Sequence, residues 1–187
     1  MIVEGIVTTT ELDDSVHIAP MGPAVRDDFQ RLTLRPYSTS HTYENLKRTG
    51  DGIFHVIDDV ELLARAAVGR LNETPKLAQI PDVRGHVLAE ACRWYAFRII
   101  SCNERQPRIV MECDVVSSGR FRDFLGFNRA KHAVVEAAIL ATRVEFLSAT
   151  EIREQFDRLS VLVDKTGGAQ EHRAFDFLAD YLAEHRD

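Results

Sequence analysis

The residues best suited to chemistry lie between Leu32 and Asn45, where hydroxyl side chains crowd a turn between a predicted strand and a predicted helix. Arg35 ends the strand. Four hydroxyl donors follow it: Ser38, Thr39, Ser40 and Thr42. The first turn of a helix adds unpaired backbone N–H groups and the positive end of its dipole, and the whole set suits a phosphate. Because serine, threonine and asparagine before a helix are also ordinary caps, the pattern alone leaves both interpretations open.

Two cations on the predicted helix strengthen the phosphate interpretation. Lys47 and Arg48 follow the hydroxyl turn within two helical turns, and with Arg35 they would offset the charge of a bound phosphate. His17, His55 and the start of a later helix, at Asn128 and Arg129, are further candidates for a binding site. Each has an ordinary alternative, as a surface or core histidine, or as a helix cap beside a solvated charge.

The composition describes an ordinary globular protein and excludes several functional classes. The 187 residues are 45% hydrophobic and 28% charged, enough for one sizeable domain or a domain with a helical extension. A net charge of -6 and the lack of a basic stripe argue against a nucleic-acid partner. The sequence begins without the features of a signal peptide, and no apolar run is long enough to cross a bilayer. We therefore expect a cytoplasmic protein without a membrane partner.

Cysteines and metal-ligand pairs carry no strong signal. Cys92, Cys102 and Cys113 lack the spacing of metal ligands and are predicted to be reduced, mostly buried thiols. His132 and Glu136 lie four residues apart on a predicted helix, but two ligands do not complete a zinc site, so no metal is expected. Glu136 lies in a predicted helix that is otherwise almost entirely apolar, so we expect its carboxylate to be buried and paired with an arginine.

Secondary-structure patterns divide the chain into a β-rich part and a helical part. Six strands are predicted, over residues 2–10, 16–21, 32–35, 53–57, 87–102 and 109–116. The last two are joined by a turn from Asn103 to Pro107, and two short helices are inserted, over 42–48 and from Asp58 or Asp59 to Ala67. Three helices are predicted after residue 128, the second of them starting with a capping box at 148–151. The predicted domains are therefore 1–125, resembling a closed barrel, and 126–187.

Three segments together resemble a known family. They are Val3–Thr9, His17–Gly22 and Arg35–Asn45, and they resemble the flavin-reductase-like FMN-binding split barrels. More narrowly, the chain resembles an uncharacterised branch, domain of unknown function 447. The segments 126–131 and 165–168, with Glu136 and the Thr142-Arg143 pair, carry that likeness. The resemblance covers nearly the whole chain.

The resemblance implies a mainly β fold with helices: a six-stranded split barrel followed by a three-helix extension. It also implies a homodimer with FMN held between the subunits. Pro20, Met21 and Gly22 would then line the isoalloxazine ring. The ribityl phosphate would be held by Arg35, Ser38, Ser40, Thr42 and Asn45. Tyr37 and His55 would neighbour the ring or the ribityl chain. Apart from the resemblance, Asn128, Arg129 and Lys131 stand at a helix start, where they could reach the phosphate or a substrate anion or could be a cap with two solvated charges.

Three functional hypotheses follow from these residues and the resemblance. The leading one is an FMN-dependent oxidoreductase of unidentified substrate, in which FMN carries the redox chemistry and no protein nucleophile is needed. The second is a non-catalytic FMN-binding module, since a fold does not determine a function. The third is a barrel that binds another planar ligand, such as a deazaflavin or a pterin.

Overall fold

The computed structural model describes residues 1–105 and 109–185. Within them the strands are β1 (Gly5–Thr10), β2 (Val16–Met21), β3 (Ala24–Arg26), β4 (Arg31–Leu34), β5 (Asp51–Val56), β6 (Leu77–Ala78), β7 (Val87–Leu88), β8 (Arg93–Asn103) and β9 (Val110–Arg120). The α-helices are α1 (His41–Thr49), α2 (Val60–Ala67), α3 (Arg129–Ala141), α4 (Ala149–Thr166) and α5 (Ala169–Glu184). The turn predicted from Asn103 to Pro107 lies partly outside the described residues. No helix in the described part of the chain is long and apolar enough to span a membrane.

The chain divides by its internal contacts into two compact units. The first contains Met1–Ile57 and Glu73–Phe124, and the second contains Asp58–Asn72 and the residues from Leu125 onward. The helix predicted after Asp58 or Asp59 is confirmed as α2, and Asp59 caps it by accepting a hydrogen bond from the N–H of Leu62. The second unit therefore contains four helices, α2 to α5, whereas a three-helix extension was predicted. The domain boundary at residue 125 stays a prediction.

The first unit is a curled antiparallel sheet of seven strands in the order β2-β1-β5-β8-β9-β4-β3. Its two edge strands, β2 and β3, are consecutive in the chain. The N-terminal segment joins β3 as well, because the N–H of Val3 donates to the carbonyl of Pro23 and the N–H of Val25 donates to the carbonyl of Met1. These bonds draw the two edges of the sheet toward each other and give it the curvature of a half-barrel.

The predicted count of six barrel strands is wrong. The structure adds β3, whose three residues are too short to leave an alternating pattern in the sequence. The predicted strand over 87–102 is two strands, β7 and β8, and β7 pairs with β6 in a separate two-stranded sheet. The antiparallel, mainly β architecture with helices agrees with the prediction.

Both faces of the central strands are covered. One face packs a core that includes Val7, Phe54 and Phe97 with Leu46 of α1. The other face packs Ile53, Trp94 and Ala96 against Val87 of β7. Burial on both faces explains why β1 and β5 are nearly continuous runs of buried residues instead of alternating ones.

The second unit has an ion pair inside its helical core. Nζ of Lys131, in α3, lies 2.7 Å from Oε1 of Glu171, in α5, and the two residues are only 8% and 6% exposed. Lys131 also donates to the carbonyl of Asp58 at 2.6 Å and to Oε1 of Gln170 at 3.1 Å. Burial raises the pKa of Glu171, but hydrogen bonds from Lys131 and from the N–H of Gly168 hold that pKa below its usual value.

This ion pair corrects the interpretation of α3. Glu136, which was predicted to be the buried carboxylate, is exposed, and the buried charge on α3 is Lys131, for which the sequence left a solvated charge and an anion contact open. Small residues along the buried face of α3, such as Ala133 and Ala137, let neighbouring helices approach closely. At the surface of this unit, Arg173 of α5 forms an ion pair with Glu61 of α2 at 2.9 Å, and the pair joins the two helices.

Candidate functional site

The turn between β4 and α1 begins with a helix cap. Oγ of Ser40 accepts a hydrogen bond from the N–H of Tyr43 at 3.2 Å and donates to the carbonyl of Tyr37 at 2.8 Å. The capping interpretation is thus confirmed for Ser40, whose hydroxyl is already engaged on both sides. Tyr37 contributes this carbonyl, and its own side chain is 58% exposed beside the turn.

Several donors around this cap have no acceptor. Arg35, Ser38 and Thr39 are exposed, and their side chains make no hydrogen bond or ion pair with residues 1–105 or 109–185. The backbone N–H groups of His41 and Thr42, in the first turn of α1, likewise have no acceptor in the described part of the chain. A guanidinium, two hydroxyls and two N–H groups at the positive end of a helix form a set of donors that fits a phosphate.

Lys47 and Arg48 do not belong to this set. Nζ of Lys47 lies 2.9 Å from Oε1 of Glu104 and 3.0 Å from the hydroxyl of Tyr43, and these hydrogen bonds raise the pKa of Lys47. Arg48 donates to the carbonyl of Thr10 and to the amide oxygen of a neighbouring asparagine on α1. Both cations are thus paired within the protein, and their offset of a phosphate charge stays a prediction.

Asn45 faces the sheet. It is 4% exposed, its Nδ2 donates to Oγ1 of Thr9 at 3.1 Å, and its Oδ1 accepts from Arg48 at 3.2 Å. Both ends of the amide are thus used to attach α1 to β1. Asn45 therefore positions the helix that carries the turn, and its predicted contact with the phosphate stays a prediction.

Thr42 is also turned inward, toward a small cluster of titratable side chains. It is 3% exposed, and its Oγ1 lies 3.2 Å from Nε2 of His17 on β2. Nδ1 of His17 and Nδ1 of His41 each lie 3.5 Å from Oε1 of Glu11, and the two imidazole rings are stacked with centroids 5.6 Å apart. The pKa of His17 lies below its usual value. Burial lowers it most, the neighbouring carboxylate of Glu11 raises it, and the nearby His41 lowers it.

The sequence did not identify Glu11 and His41 as site residues. They are 30 positions apart in the chain. They meet because β2 turns back along β1 and α1 packs on both strands. No local sequence pattern predicts this arrangement: the predicted helix began at residue 42, and the structure shows that His41 is the first residue of α1.

The segment predicted to line a flavin ring lies at the edge of the sheet. On β2, Pro20 pairs with Ile6 of β1 and Met21 pairs with Gly5 of β1, and β2 is an edge strand, where a proline without an N–H group is tolerated. Gly22 lies beside the N-terminal segment: a Cβ at this position would be 2.9 Å from the carboxylate oxygens of Glu4. Close approach by Glu4 thus favours a residue without a side chain at Gly22.

His55 is a core residue. It is fully buried, its Nδ1 lies 3.3 Å from the carbonyl of Ile6, and its Nε2 accepts from the N–H of Leu88 at 3.1 Å. Burial lowers its pKa to about 4, and the hydrogen bond to Ile6 acts in the other direction. The core-histidine interpretation of His55 is confirmed, because both ring nitrogens contact core backbone groups and the residue is fully buried; its predicted place beside a ligand stays a prediction.

Asn128 and Arg129 lie in the second unit. The amide of Asn128 caps α3 by accepting from the N–H of Lys131 at 3.0 Å and donates to the carbonyl of Thr166 at 3.0 Å. Arg129 is exposed and makes no ion pair or hydrogen bond with the described residues. The capping interpretation of Asn128 is confirmed, and the role of both residues toward a phosphate stays a prediction.

The next candidates are metal ligands and cysteine thiols among the described residues. No group of three or more histidine, cysteine, aspartate or glutamate side chains in the described part of the chain is arranged to hold a metal ion. The cysteines form no disulfide there; Cys92 and Cys113 are buried and Cys102 is exposed. Burial raises the pKa of Cys113 to about 12.

Solved structures of flavin-related proteins share this fold. The FMN-bound protein MM1853 from Methanosarcina mazei is 24% identical, superposes with a TM-score of 0.83, and the match covers 96% of this chain and 94% of that protein. The styrene monooxygenase flavin reductase of Pseudomonas putida S12 is 12% identical with a TM-score of 0.51, over 65% of this chain and 82% of that one. An FMN-binding protein from Thermus thermophilus is also 12% identical, with a TM-score of 0.51 over 64% of this chain and 71% of that one.

Two family models match the sequence along most of its length. Residues 3–122 match the model described as "Protein of unknown function (DUF447) N-terminal domain". Residues 128–180 match the C-terminal model of the same family, described as "Protein of unknown function (DUF447)". The first match alone includes the β-sheet, the hydroxyl turn and α1. The chain therefore belongs to the DUF447 family.

Proposed function

We propose that this protein is an FMN-binding flavoprotein whose phosphate site is the turn between β4 and α1. The observation that carries the proposal is the set of donors without acceptors at that turn, formed by Arg35, Ser38, Thr39 and the first N–H groups of α1. The fold shared with the FMN-bound Methanosarcina mazei protein supports it.

The donor set fits the phosphate of FMN. A phosphate monoester carries close to two negative charges at neutral pH and offers three strong acceptor oxygens. Arg35 would form charge-assisted hydrogen bonds with them, while Ser38 and Thr39 would donate their hydroxyl hydrogens. Ser40 and Asn45 hold the turn in place, one as the cap of α1 and the other as its attachment to β1.

The reaction we propose is oxidoreduction. Bound FMN supplies acceptance and donation of electrons, and the protein's residues bind it, orient it and control access to it. Pro20, Met21 and Gly22 would border the ring along the exposed edge of the sheet, and we propose a homodimer with the flavin between subunits. Light scattering of the purified protein tests the dimer, and a monomeric mass at micromolar concentration would contradict it.

A screen of electron donors separates an enzyme from a carrier. We expect NADH or NADPH to bleach the flavin absorbance of the protein anaerobically, and oxygen to restore it. Flavin that binds tightly but is reduced by neither nucleotide would favour the non-catalytic module. Displacement of FMN by a deazaflavin or a pterin at lower concentration would favour the third hypothesis.

Replacement of Arg35 by alanine is expected to weaken FMN binding by about tenfold to a hundredfold. A hydrogen bond to a charged group contributes about 1.5–3 kcal/mol, and about 1.4 kcal/mol corresponds to a factor of ten. Since Arg35 has no partner among the described residues, folding stability should hardly change. Quenching of flavin fluorescence measures the dissociation constant.

Riboflavin and a second arginine provide the controls. Riboflavin has no phosphate, so its affinity should be the same in Arg35→Ala and in the wild type. Arg26→Ala removes an exposed arginine from the far end of the β3–β4 hairpin, roughly 13 Å along the strand, and should leave FMN binding unchanged. Unchanged FMN affinity in Arg35→Ala would contradict the phosphate assignment.

A further inference from the structure

The cluster of Glu11, His17 and His41 is joined to the turn assigned to the phosphate, because His41 directly follows the cap residue Ser40. His41 is the first residue of α1, so its own N–H and that of Thr42 are two of the donors without acceptors. The cluster and the phosphate site thus share a helix end, and charge added to one acts on the other at short range.

The groups facing His17 come from three elements. Glu11 approaches from the connection after β1, and His41 approaches from α1. Thr42, also on α1, bonds Nε2 of His17, and the residue paired with His17 on β1 is the uncharged Thr9. Glu11 is thus the anion shared by both histidines, each at 3.5 Å.

We propose that this cluster takes up a proton when the phosphate of the ligand binds. The inference rests on the proposed function, since it concerns the same phosphate. With both imidazoles neutral, Glu11 leaves the cluster with one negative charge, which opposes an incoming phosphate. A proton taken from solvent onto the histidine pair cancels that charge and places a cation beside the phosphate.

The hydrogen bond between His17 and Thr42 gives the proton a structural effect. When Nδ1–H of neutral His17 points to Glu11, Nε2 accepts the hydroxyl hydrogen of Thr42. Protonation of Nε2 reverses this bond, so that Nε2–H donates to Oγ1 and the hydroxyl hydrogen of Thr42 is released. Uptake of one proton therefore reverses a buried hydrogen bond at the start of α1.

Thermodynamic linkage makes the proposal measurable. If binding of phosphate takes up a proton, the affinity for FMN must rise as the pH falls across the range of that uptake. The phosphate of FMN titrates in the same range, near pH 6, and contributes its own pH dependence. That contribution is the same for every variant of the protein, so the difference between variants reports the histidines.

The test is calorimetric titration of FMN and riboflavin into the full chain, freed of flavin, at pH 6.5 in two buffers of different ionisation enthalpy. We expect FMN binding to the wild type to take up close to one proton more than FMN binding to the variant with both His17→Gln and His41→Gln. Riboflavin should show no such difference. His172→Gln, in α5, is the matched control and should behave as the wild type.

Glu11→Gln provides a second variant with the opposite expected effect. It removes the anion of the cluster, so FMN should bind several-fold more tightly than to the wild type at pH 8. Equal proton uptake in the wild type and the double variant, with FMN still bound more tightly than riboflavin, would overturn this inference alone. Absence of FMN binding, or equal affinity for riboflavin, would overturn the proposed function and this inference with it.

Discussion

Replacement of Lys131 by methionine is expected to lower the free energy of unfolding by about 3–5 kcal/mol, because it leaves the carboxylate of Glu171 buried without its partner. The same change removes the donor to the carbonyl of Asp58. Urea denaturation followed by far-UV circular dichroism measures the loss. Lys165→Met, an exposed lysine in the last turn of α4, is the matched control and should change stability by less than about 0.5 kcal/mol.

A double variant distinguishes loss of a partner from loss of packing. Replacing Lys131 by methionine and Glu171 by leucine removes both charges, and buried ion pairs replaced by apolar residues often lose little stability. We therefore expect the double variant to be more stable than Lys131→Met. A single variant within about 1 kcal/mol of the wild type would contradict the buried ion pair.

The stability of the protein is expected to fall by about 3 kcal/mol between pH 6.5 and pH 4 through His55 alone. The pKa of His55 is lowered from 6.5 to about 4 in the folded protein, so the unfolded chain binds the proton more readily across this range. The stabilisation is fully present above pH 6.5 and is lost as the pH falls toward 4. Each unit of pKa shift corresponds to about 1.4 kcal/mol.

The variant His55→Leu isolates this effect from the carboxylates that titrate nearby. It removes the imidazole that bonds the carbonyl of Ile6 and the N–H of Leu88, so it should be less stable at pH 7 by about 1–3 kcal/mol for each group left unpaired. Its stability should then depend less on pH than that of the wild type. Parallel pH profiles of the two proteins, from urea midpoints, would show that His55 is not held neutral in the core.

Features encoded by neighbouring residues could be predicted from the sequence. The cap of α2 at Asp59, the capping box that begins α4 at Ser148, and the cap of α1 at Ser40 each depend on three or four consecutive residues. The turn rich in donors was recognised for the same reason. Caps and turns of this kind can be predicted without knowing the tertiary structure around them.

Features that depend on packing between distant segments could not be predicted in the same way. Lys131 and Glu136 are five residues apart, about 140° around the helix, and in a helix that is apolar on most sides the sequence does not show which position faces the core. The inward orientation of Asn45 and His55 depends on the pairing of β1 with β5 and the packing of α1. A three-residue edge strand such as β3 exists only because β4 lies beside it.

The phosphate assignment is most directly tested by the visible absorption spectrum of freshly purified protein, followed by chromatography of the supernatant after heat denaturation. The proposed function predicts a yellow protein, with absorbance maxima of bound flavin, that releases FMN on denaturation. Protein purified without flavin should take up added FMN and bind it more tightly than riboflavin. A colourless protein that takes up no added FMN would contradict the proposed function, although the fold and the family would stand.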